Sequence, residues 1–292
     1  MTKRRARVPS SPQPEGRGRR TFLTFPIVAV LVCVVALAGA AWWWTAGRRA
    51  RQRPIILISI DTLRADHLPL YGYTAGRTPA IDALARESVV FDAAYAHAPQ
   101  TLPSHLSILS GLLPFEHGVR DNIGFTLKPG TRMLQDYLHG RGYTTAGFVS
   151  AYVIRKETGI GRGFDDFDSQ LPPASPEKSL GQVQRRGEDT LAVAERWLSG
   201  TRTNRFFLFF HIYEPHKPYS PPARFASMAP YDGEIAYSDE IVGRLINDLK
   251  SRGLYDPSTI VLLADHGEGL GDHVEQEHGL FIYNETIRVQ LV

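Results

Sequence analysis

Three short apolar runs, each ending in a side chain that can bind a metal or move a proton, constrain this chain more than any other feature. Ile55-Ile56-Leu57-Ile58-Ser59-Ile60 runs into Asp61. Phe206-Phe207-Leu208-Phe209-Phe210 runs into His211. Ile260-Val261-Leu262-Leu263-Ala264 runs into Asp265 and His266. Continuous apolar and β-branched runs of this length read as strands buried on both faces, as in a parallel sheet. Polar groups just past the carboxyl ends of such strands lie where open α/β sheets hold ligands. Parallel strands need crossovers, and the intervening sequence supplies them. Thr78–Glu87 reads as a helix with Ile81, Leu84 and Ala85 on one face, Met133–His139 as a helix ended by Gly140, and Asp189–Leu198 as a third. Tyr237–Gly253 carries Ile241, Leu245 and Leu249 at helical spacing, a core stripe. Further strands are predicted over Ser88–Tyr95 and Tyr143–Val149, while 155–187 is loop-rich. The fold class is α/β, a mostly parallel central sheet flanked by helices.

The amino-terminal part differs in character. The chain has 292 residues and a formal charge of only +3. Its basic excess sits at Lys3, Arg4, Arg5, Arg7, Arg17, Arg19 and Arg20, and again at Arg48, Arg49, Arg51 and Arg53. These flank an uncharged run, 22–46, that is about the length of a bilayer span and ends in Trp42-Trp43-Trp44. The pattern predicts a disordered segment over 1–21, one transmembrane helix over 22–46, a linker over 47–53 and a catalytic domain over 54–292. That domain is expected on the extracytoplasmic side of the membrane, with cleavage at Ala38-Gly39-Ala40 as the alternative. The charge flanks the apolar run and forms no basic stripe in the body of the chain, so nucleic acid is not an expected partner. Cys33 is the only cysteine, which excludes a disulfide or a cysteine nucleophile in the domain. The chain stops at Val292 in mid-pattern, and further carboxy-terminal sequence is expected.

Four places carry candidate chemistry. The stretch Ala98–Gly111 reads as a loop that delivers the Thr101 hydroxyl to the start of a short helix. Pro103 is expected at the first helical position, and Gly111 at the end. A hydroxyl there is either a cap or a nucleophile placed where an anionic ester is also favoured. Asp61 is an N-cap or a ligand at a strand end. His211, Glu214, His216 and Lys217 lie close together in a proline-stiffened loop and predict a polar site. Asp265-His266-Gly267 has the form of a metal site. Carboxylate with imidazole suits Zn²⁺ or Mn²⁺, and carboxylate alone suits Mg²⁺ or Ca²⁺.

Several ordered motifs together are similar to those of a known family. These are Ile58-Ser59-Ile60-Asp61-Thr62-Leu63-Arg64-Ala65-Asp66-His67, Thr101-Leu102-Pro103-Ser104-His105, His117-Gly118-Val119-Arg120-Asp121-Asn122, Pro215-His216-Lys217-Pro218-Tyr219 and Ala264-Asp265-His266-Gly267-Glu268. From Pro54 onward the chain resembles the sulfatase family of the alkaline phosphatase superfamily. The resemblance implies an alkaline-phosphatase-like sheet and a divalent cation, Zn, Mn, Mg or Ca, on Asp61, Asp265 and His266, with Thr101 as nucleophile and further ligand. It implies that His216 and His278 hold the anionic ester. On the same reading His105, His211 and Lys217 are expected to contact substrate. Threonine at the nucleophile position, and the spacing of His278 from His266, are similar to membrane-anchored phosphoethanolamine and phosphoglycerol transferases.

The departures also carry information. Sulfatases place Cys or Ser at the nucleophile position for conversion to formylglycine, with an Arg four residues on; here Thr101 and His105 stand there. The Gly-Lys-Trp-His stretch is replaced by Gly147-Phe148-Val149-Ser150, and the carboxylate that often follows the first is Thr62. The expected activity is metal-dependent hydrolysis of sulfate or phosphate esters of a glycan, a lipid or a small molecule. Two alternatives are a phospho-headgroup transferase acting on envelope lipid or glycan, and an inactive domain that binds metal and anion.

Overall fold

Alternation along two strands decides what lies on each side of the sheet. Side chains of successive strand residues point to opposite faces. In the first strand Ile56, Ile58 and Ile60 enter one apolar core, and Leu57 enters another. In the strand beside it Phe206, Leu208, Phe210 and Ile212 enter the first core, and Phe207 and Phe209 the second. Both faces are therefore covered, as the unbroken apolar runs require.

The computed structural model describes residues 24–50, 53–173 and 183–292, with side chains described over 30–43 in the first of these. In chain order the elements are α1 (Thr24–Ala50), β1 (Ile55–Ile60), α2 (Pro79–Arg86), β2 (Ala94–Tyr95), α3 (Thr101–Ser110), α4 (Pro114–His117), α5 (Leu134–His139), β3 (Thr144–Phe148), β4 (Asp166–Asp168), α6 (Gly187–Gly200), β5 (Phe206–Ile212), α7 (Pro230–Ser251), β6 (Thr259–Ala264), α8 (Asn284–Ile287) and β7 (Arg288–Val289). The five-stranded sheet has the order β4-β3-β5-β1-β6, and every pairing in it is parallel. A two-stranded antiparallel sheet joins β2 to β7. Helices α2, α6 and α7 bury Ile81, Leu84, Leu191, Leu198, Ile241, Leu245 and Leu249 against one face of the large sheet. Helices α3 and α5 bury Leu102, Leu106, Leu109 and Leu138 against the other.

The described residues divide into two compact units between Ala50 and Arg51. In the first, α1 exposes Val30, Leu31, Val35, Leu37, Trp42 and Trp43. Among the described residues no helix is long and apolar enough to cross a membrane. The transmembrane span expected over 22–46 is not found there. Phe22, Leu23 and the segment expected to be disordered over 1–21 lie outside the described residues. Helix continues to Ala50, so the first part of the expected linker is helical.

Two other expectations change. The strand expected over Ser88–Tyr95 is confined to Ala94–Tyr95. Val89 and Phe91 are 72% and 49% exposed, so no second face buries them. Helix α7 begins at Pro230, seven residues ahead of the expected start. Its first turns bury Asp232 and Glu234 beside Tyr231 and Ile235, and those acids interrupt the apolar spacing that marks a helix in sequence.

Candidate functional site

Register brings the site together. Ile60 of β1 is level with Ile212 of β5 and with Ala264 of β6. Asp61 and Asp265, each one residue further on, therefore emerge side by side at the carboxyl edge of the sheet. Ser59 is level with His211, and both belong to the odd-numbered face that α3 covers. Helix α3 starts at Thr101 itself, with Gln100 as its N-cap, so Pro103 is the third helical residue and not the first. Gly111, in the left-handed region with φ 69°, ends the helix as expected. Leu102, Leu106 and Leu109 anchor α3 on the sheet, which holds Thr101 above Asp61 and Asp265.

The described residues contain one buried group of carboxylates and imidazole close enough to share a metal: Asp61, Asp265 and His266, with ligand atoms within 4.8 Å of one another. His266 Nε2 lies 3.5 Å from Asp61 Oδ1 and 3.4 Å from Asp265 Oδ2. Thr101 Oγ1 is 3.2 Å from the same nitrogen. The backbone fixes each orientation. The N–H groups of His266 and Thr62 donate to Asp265 Oδ1 at 2.9 and 3.3 Å, leaving Oδ2 for the centre. His266 Nδ1 donates to the Gly267 carbonyl at 2.9 Å, so the Nε2 lone pair faces the carboxylates.

Both oxygens of Asp61 and Oδ2 of Asp265 are buried without a hydrogen-bond partner. Burial pushes both carboxyls well above their usual range, and the charge of Asp61 adds to the effect at Asp265. Burial pulls His266 well below its usual range and holds it neutral. Unpaired buried acceptors facing an imidazole lone pair are costly alone and well matched to a divalent cation. Asp61, Asp265 and His266, with the Thr101 hydroxyl beside them, fit the cation that the resemblance implies.

His278 and His216 extend the centre outward. The His278 ring is 4.3 Å from that of His266, and its Nε2 is 3.2 Å from His216 Nε2. Each Nδ1 donates to a backbone carbonyl, that of Pro99 at 3.1 Å and that of Lys217 at 2.7 Å, so both Nε2 atoms converge on one point. The protein packed around them lowers His216 to about 3 and lowers His278 in the same direction. Next to His216, the exposed Lys217 has its Nζ 3.3 Å from Glu277 Oε1.

Two residues expected at the substrate lie elsewhere. His105 and His211 are wholly buried beneath the carboxylates. His211 accepts the Ser150 N–H at Nδ1, so its Nε2–H points to Asp61 Oδ2 at 3.4 Å. His105 donates from Nδ1 to the Thr101 carbonyl at 2.7 Å, with Asp265 Oδ2 at 3.4 Å, and its Nε2 accepts from Ser59 at 2.8 Å. Burial lowers both imidazoles, His211 to about 3. They orient ligands from behind, as neutral groups. Lys217, by contrast, has an exposed side chain.

Several supporting residues were not singled out in the sequence. Glu234 accepts the N–H groups of His216 at 3.1 Å and Ser220 at 2.7 Å, and so fixes the His216 loop. Ser104 donates to the Asp265 carbonyl at 2.6 Å. Tyr219 donates to Glu268 at 2.9 Å.

Burial raises Glu214 and Glu234 from 4.5 to about 7. Between these values the folded chain binds protons that the unfolded chain does not, so stability is lost as pH rises from about 4.5 to 7. Each group contributes at most about 3 kcal/mol to this slope. The buried neutral imidazoles of His211 and His216 act with the opposite sign below about pH 6.5, so the test is a difference between two chains. In urea unfolding of the metal-loaded chain from pH 4.5 to 7, Glu214→Gln should lose less stability, or gain more, with rising pH than the parent, and parallel pH profiles for the two are the contrary result.

Gly267 lets the strand-end turn approach α8: its N–H donates to the Thr286 carbonyl at 2.8 Å. A Cβ at this position meets the Glu285 carbonyl oxygen at 2.0 Å. Gly267→Ala is expected to cost roughly 3 kcal/mol or more, since backbone and not a flexible side chain must move. Denaturant unfolding checks this, and a loss under about 1 kcal/mol would contradict it.

Comparison with known proteins follows the same lines. The family model described as Sulfatase matches residues 53–292. A delta 4,5-hexuronate-2-O-sulfatase from Bacteroides thetaiotaomicron is 27% identical over 188 residues, covering 62% of this chain and 37% of that protein. The human ectonucleotide pyrophosphatase/phosphodiesterase family member 1 is 25% identical over 229 residues, covering 73% of this chain and 23% of that one. The chain thus spans well under half the length of these relatives. A phosphonate monoester hydrolase from Agrobacterium radiobacter has the same fold, with a TM-score of 0.68 at 20% identity over 82% of this chain and 67% of its own. With the family model matched from residue 53 to the last residue, across the segments that carry Asp61, Thr101, Asp265 and His266, this chain belongs to the Sulfatase family.

Proposed function

We propose that the chain is a metal-dependent ester hydrolase in which Thr101 is the covalent nucleophile, acting on phosphate esters in preference to sulfate esters. One observation carries the reading: the Thr101 hydroxyl is buried at the first turn of α3, 3.2 Å from His266 Nε2 and over the unpaired oxygens of Asp61 and Asp265. A cation held by Asp61, Asp265 and His266 supplies charge that lowers the hydroxyl's pKa and balances the transferred group.

Thr101 Oγ releases its proton to solvent water and attacks phosphorus in line with the leaving oxygen. The Oγ–P bond forms, and the bond from phosphorus to the leaving oxygen breaks. His216 and His278 aim their Nε2 atoms at the non-bridging oxygens or the leaving oxygen. An incoming anionic ester brings the negative charge that favours a proton on one of them. Water then attacks phosphorus, the P–Oγ bond breaks, and Thr101 is restored. A plain threonine sulfate lacks the gem-diol hydroxyl through which formylglycine expels sulfate, so sulfate esters are expected to stall at the second step. An acceptor hydroxyl in place of water makes the same chemistry a transfer, the second reading.

The test is turnover of an aryl phosphomonoester, an aryl phosphodiester and an aryl sulfate by metal-stripped chain, with Zn²⁺, Mn²⁺, Mg²⁺ or Ca²⁺ added back. Metal-dependent phosphoester turnover with little sulfate release is expected. Sustained sulfate release faster than phosphoester turnover overturns the preference. Tight metal binding with no turnover favours the transfer or inactive readings.

A membrane address is proposed from the sequence alone, on the uncharged run 22–46 and its basic flanks. Release of the full chain from membranes by alkaline carbonate would contradict it.

A further inference from the structure

The register that aligns β1 with β6 ends at Ile60 and Ala264. Beyond it the two turns that carry the metal-site residues, 61–64 and 265–269, are joined through side chains. One link is the Thr62 N–H on Asp265. The other is Arg64, whose side chain is 7% exposed. Its Nη1 donates to the carbonyls of Glu268 and Gly269 at 3.2 and 3.4 Å and to Asp272 Oδ2 at 2.8 Å. Its Nε and Nη2 donate to the two oxygens of Asp66 at 2.9 and 2.8 Å. The backbone of this arginine is fixed as well. Its N–H donates to the Tyr231 hydroxyl at 3.0 Å, and that hydroxyl donates to the Thr62 carbonyl at 2.7 Å.

The turn that Arg64 grips is the one that aims His266. Glu268 and Gly269 follow directly on Gly267, whose carbonyl accepts the His266 Nδ1–H at 2.9 Å. The N–H groups of Gly267 and Glu268 are held by the carbonyls of Thr286 and Glu285 in α8, at 2.8 and 3.0 Å. The carbonyls of Glu268 and Gly269 are held by Arg64. We propose that Arg64 is a positioning residue of the metal centre: it fixes the Glu268–Gly269 turn to the end of β1 and so sets the direction from which His266 Nε2 meets a cation shared with Asp61 and Asp265. The proposal rests on the reading that these three residues hold a cation.

The geometry requires an arginine. A guanidinium carries its five N–H donors in one rigid plane. Here one edge of that plane is anchored on Asp66, and Nη1 is left to hold the turn. A lysine ammonium is a single point of charge and cannot serve both at once. Asp66 and Asp272 are 54% and 56% exposed, so these ion pairs contribute little as charge pairs. What the arginine contributes is read at the bound cation, since groups that orient a metal ligand from behind typically govern about ten- to hundredfold in affinity.

Titration of Mn²⁺ and Co²⁺ into the full chain tests this, with the visible absorption of Co²⁺ recorded at saturation. Arg64→Ala is expected to weaken both cations about ten- to hundredfold. The saturated Co²⁺ bands should shift and change intensity, because a misdirected imidazole alters the ligand field. Arg64→Lys keeps the charge beside Asp66 and loses the fork. It should unfold near the parental midpoint and still bind Co²⁺ about tenfold more weakly, with an altered spectrum. Asp272→Asn leaves the turn carbonyls held and should stay within about fivefold of the parent. Parental affinity and spectrum in Arg64→Lys overturn the proposal. So does Arg64→Ala that is less stable but gives the parental spectrum at saturation, which is the behaviour of an arginine with a structural role alone. If Arg64→Ala does not fold, Arg64→Lys decides. A loss in Asp272→Asn as large as in Arg64→Ala would put the effect in the ion pair and overturn the route through the carbonyls. A parent chain that binds neither cation at millimolar concentration refutes the cation reading itself, and the proposal with it.

Discussion

Thr101→Val is expected to lower kcat for a phosphodiester by about a thousandfold or more while leaving cation affinity within roughly tenfold. Valine has nearly the shape of threonine, so α3 keeps its packing through Leu102, Leu106 and Leu109. Asp61, Asp265 and His266 stay in place, so a cation loses at most one of its donors. What disappears is the oxygen that forms the covalent bond, and no neighbouring hydroxyl replaces it: Ser104 is already donating to the Asp265 carbonyl. Thr101→Ser restores an oxygen at the same place and should recover most of the rate. Single-turnover kinetics, with titration of Zn²⁺ or Mn²⁺ in parallel, separates the two effects. Turnover by the valine variant within tenfold of the unaltered chain would show that another group attacks. A collapse of metal affinity would show that Thr101 acts chiefly as a ligand.

The second large effect has opposite signs for binding and for stability. Asp61→Asn should weaken the cation by about a hundredfold or more and abolish metal-dependent turnover, since it removes a charge from the centre of the ligand set. The metal-free variant should nonetheless be more stable than the metal-free parent. In the parent, burial pushes both Asp61 and Asp265 up, the charge of Asp61 adds to the effect at Asp265, and three carboxylate oxygens are left unpaired, so the metal-free pair is costly. An asparagine amide carries no charge and can donate to His266 Nε2. A gain of about 1–2 kcal/mol corresponds to a few degrees in Tm for a domain of this size. Thermal unfolding with and without Mn²⁺ checks both signs. The parent should gain Tm with metal and the variant should not. A metal-free variant less stable than the parent would mean that Asp61 is held by contacts other than a cation.

How much of this was legible in the sequence depends on what each residue was asked to show. Strands β1, β5 and β6 agree with their apolar runs to within two residues, because a strand buried on both faces leaves no room for polar interruptions. Asp61, Asp265 and His266 are legible for the same reason, as they follow directly on those runs. His105 and His211 are expected at the substrate through the resemblance, which aligns motifs and carries no information on burial. Their burial follows from register and alternation, which put Ser59, His211 and the first turns of α3 on one face of the sheet. Glu234 was hidden because its partners are backbone N–H groups fourteen or more positions away, which no local pattern records.

The pairing of Asp61 with Asp265 has a consequence for how the protein is made. The bond from the Thr62 N–H to Asp265 spans 203 positions, joining the first strand of the sheet to the fifth. A cation shared by these two strand ends closes a loop of that length, and closing long loops restrains the unfolded chain most. On a growing chain the early half of the centre, Asp61 and Thr101, waits with its oxygens open until β6 is seated. If a cation is held there, its loading comes late in folding, and metal scarcity should then make β6 exchange its amide protons faster than it does in the metal-loaded chain.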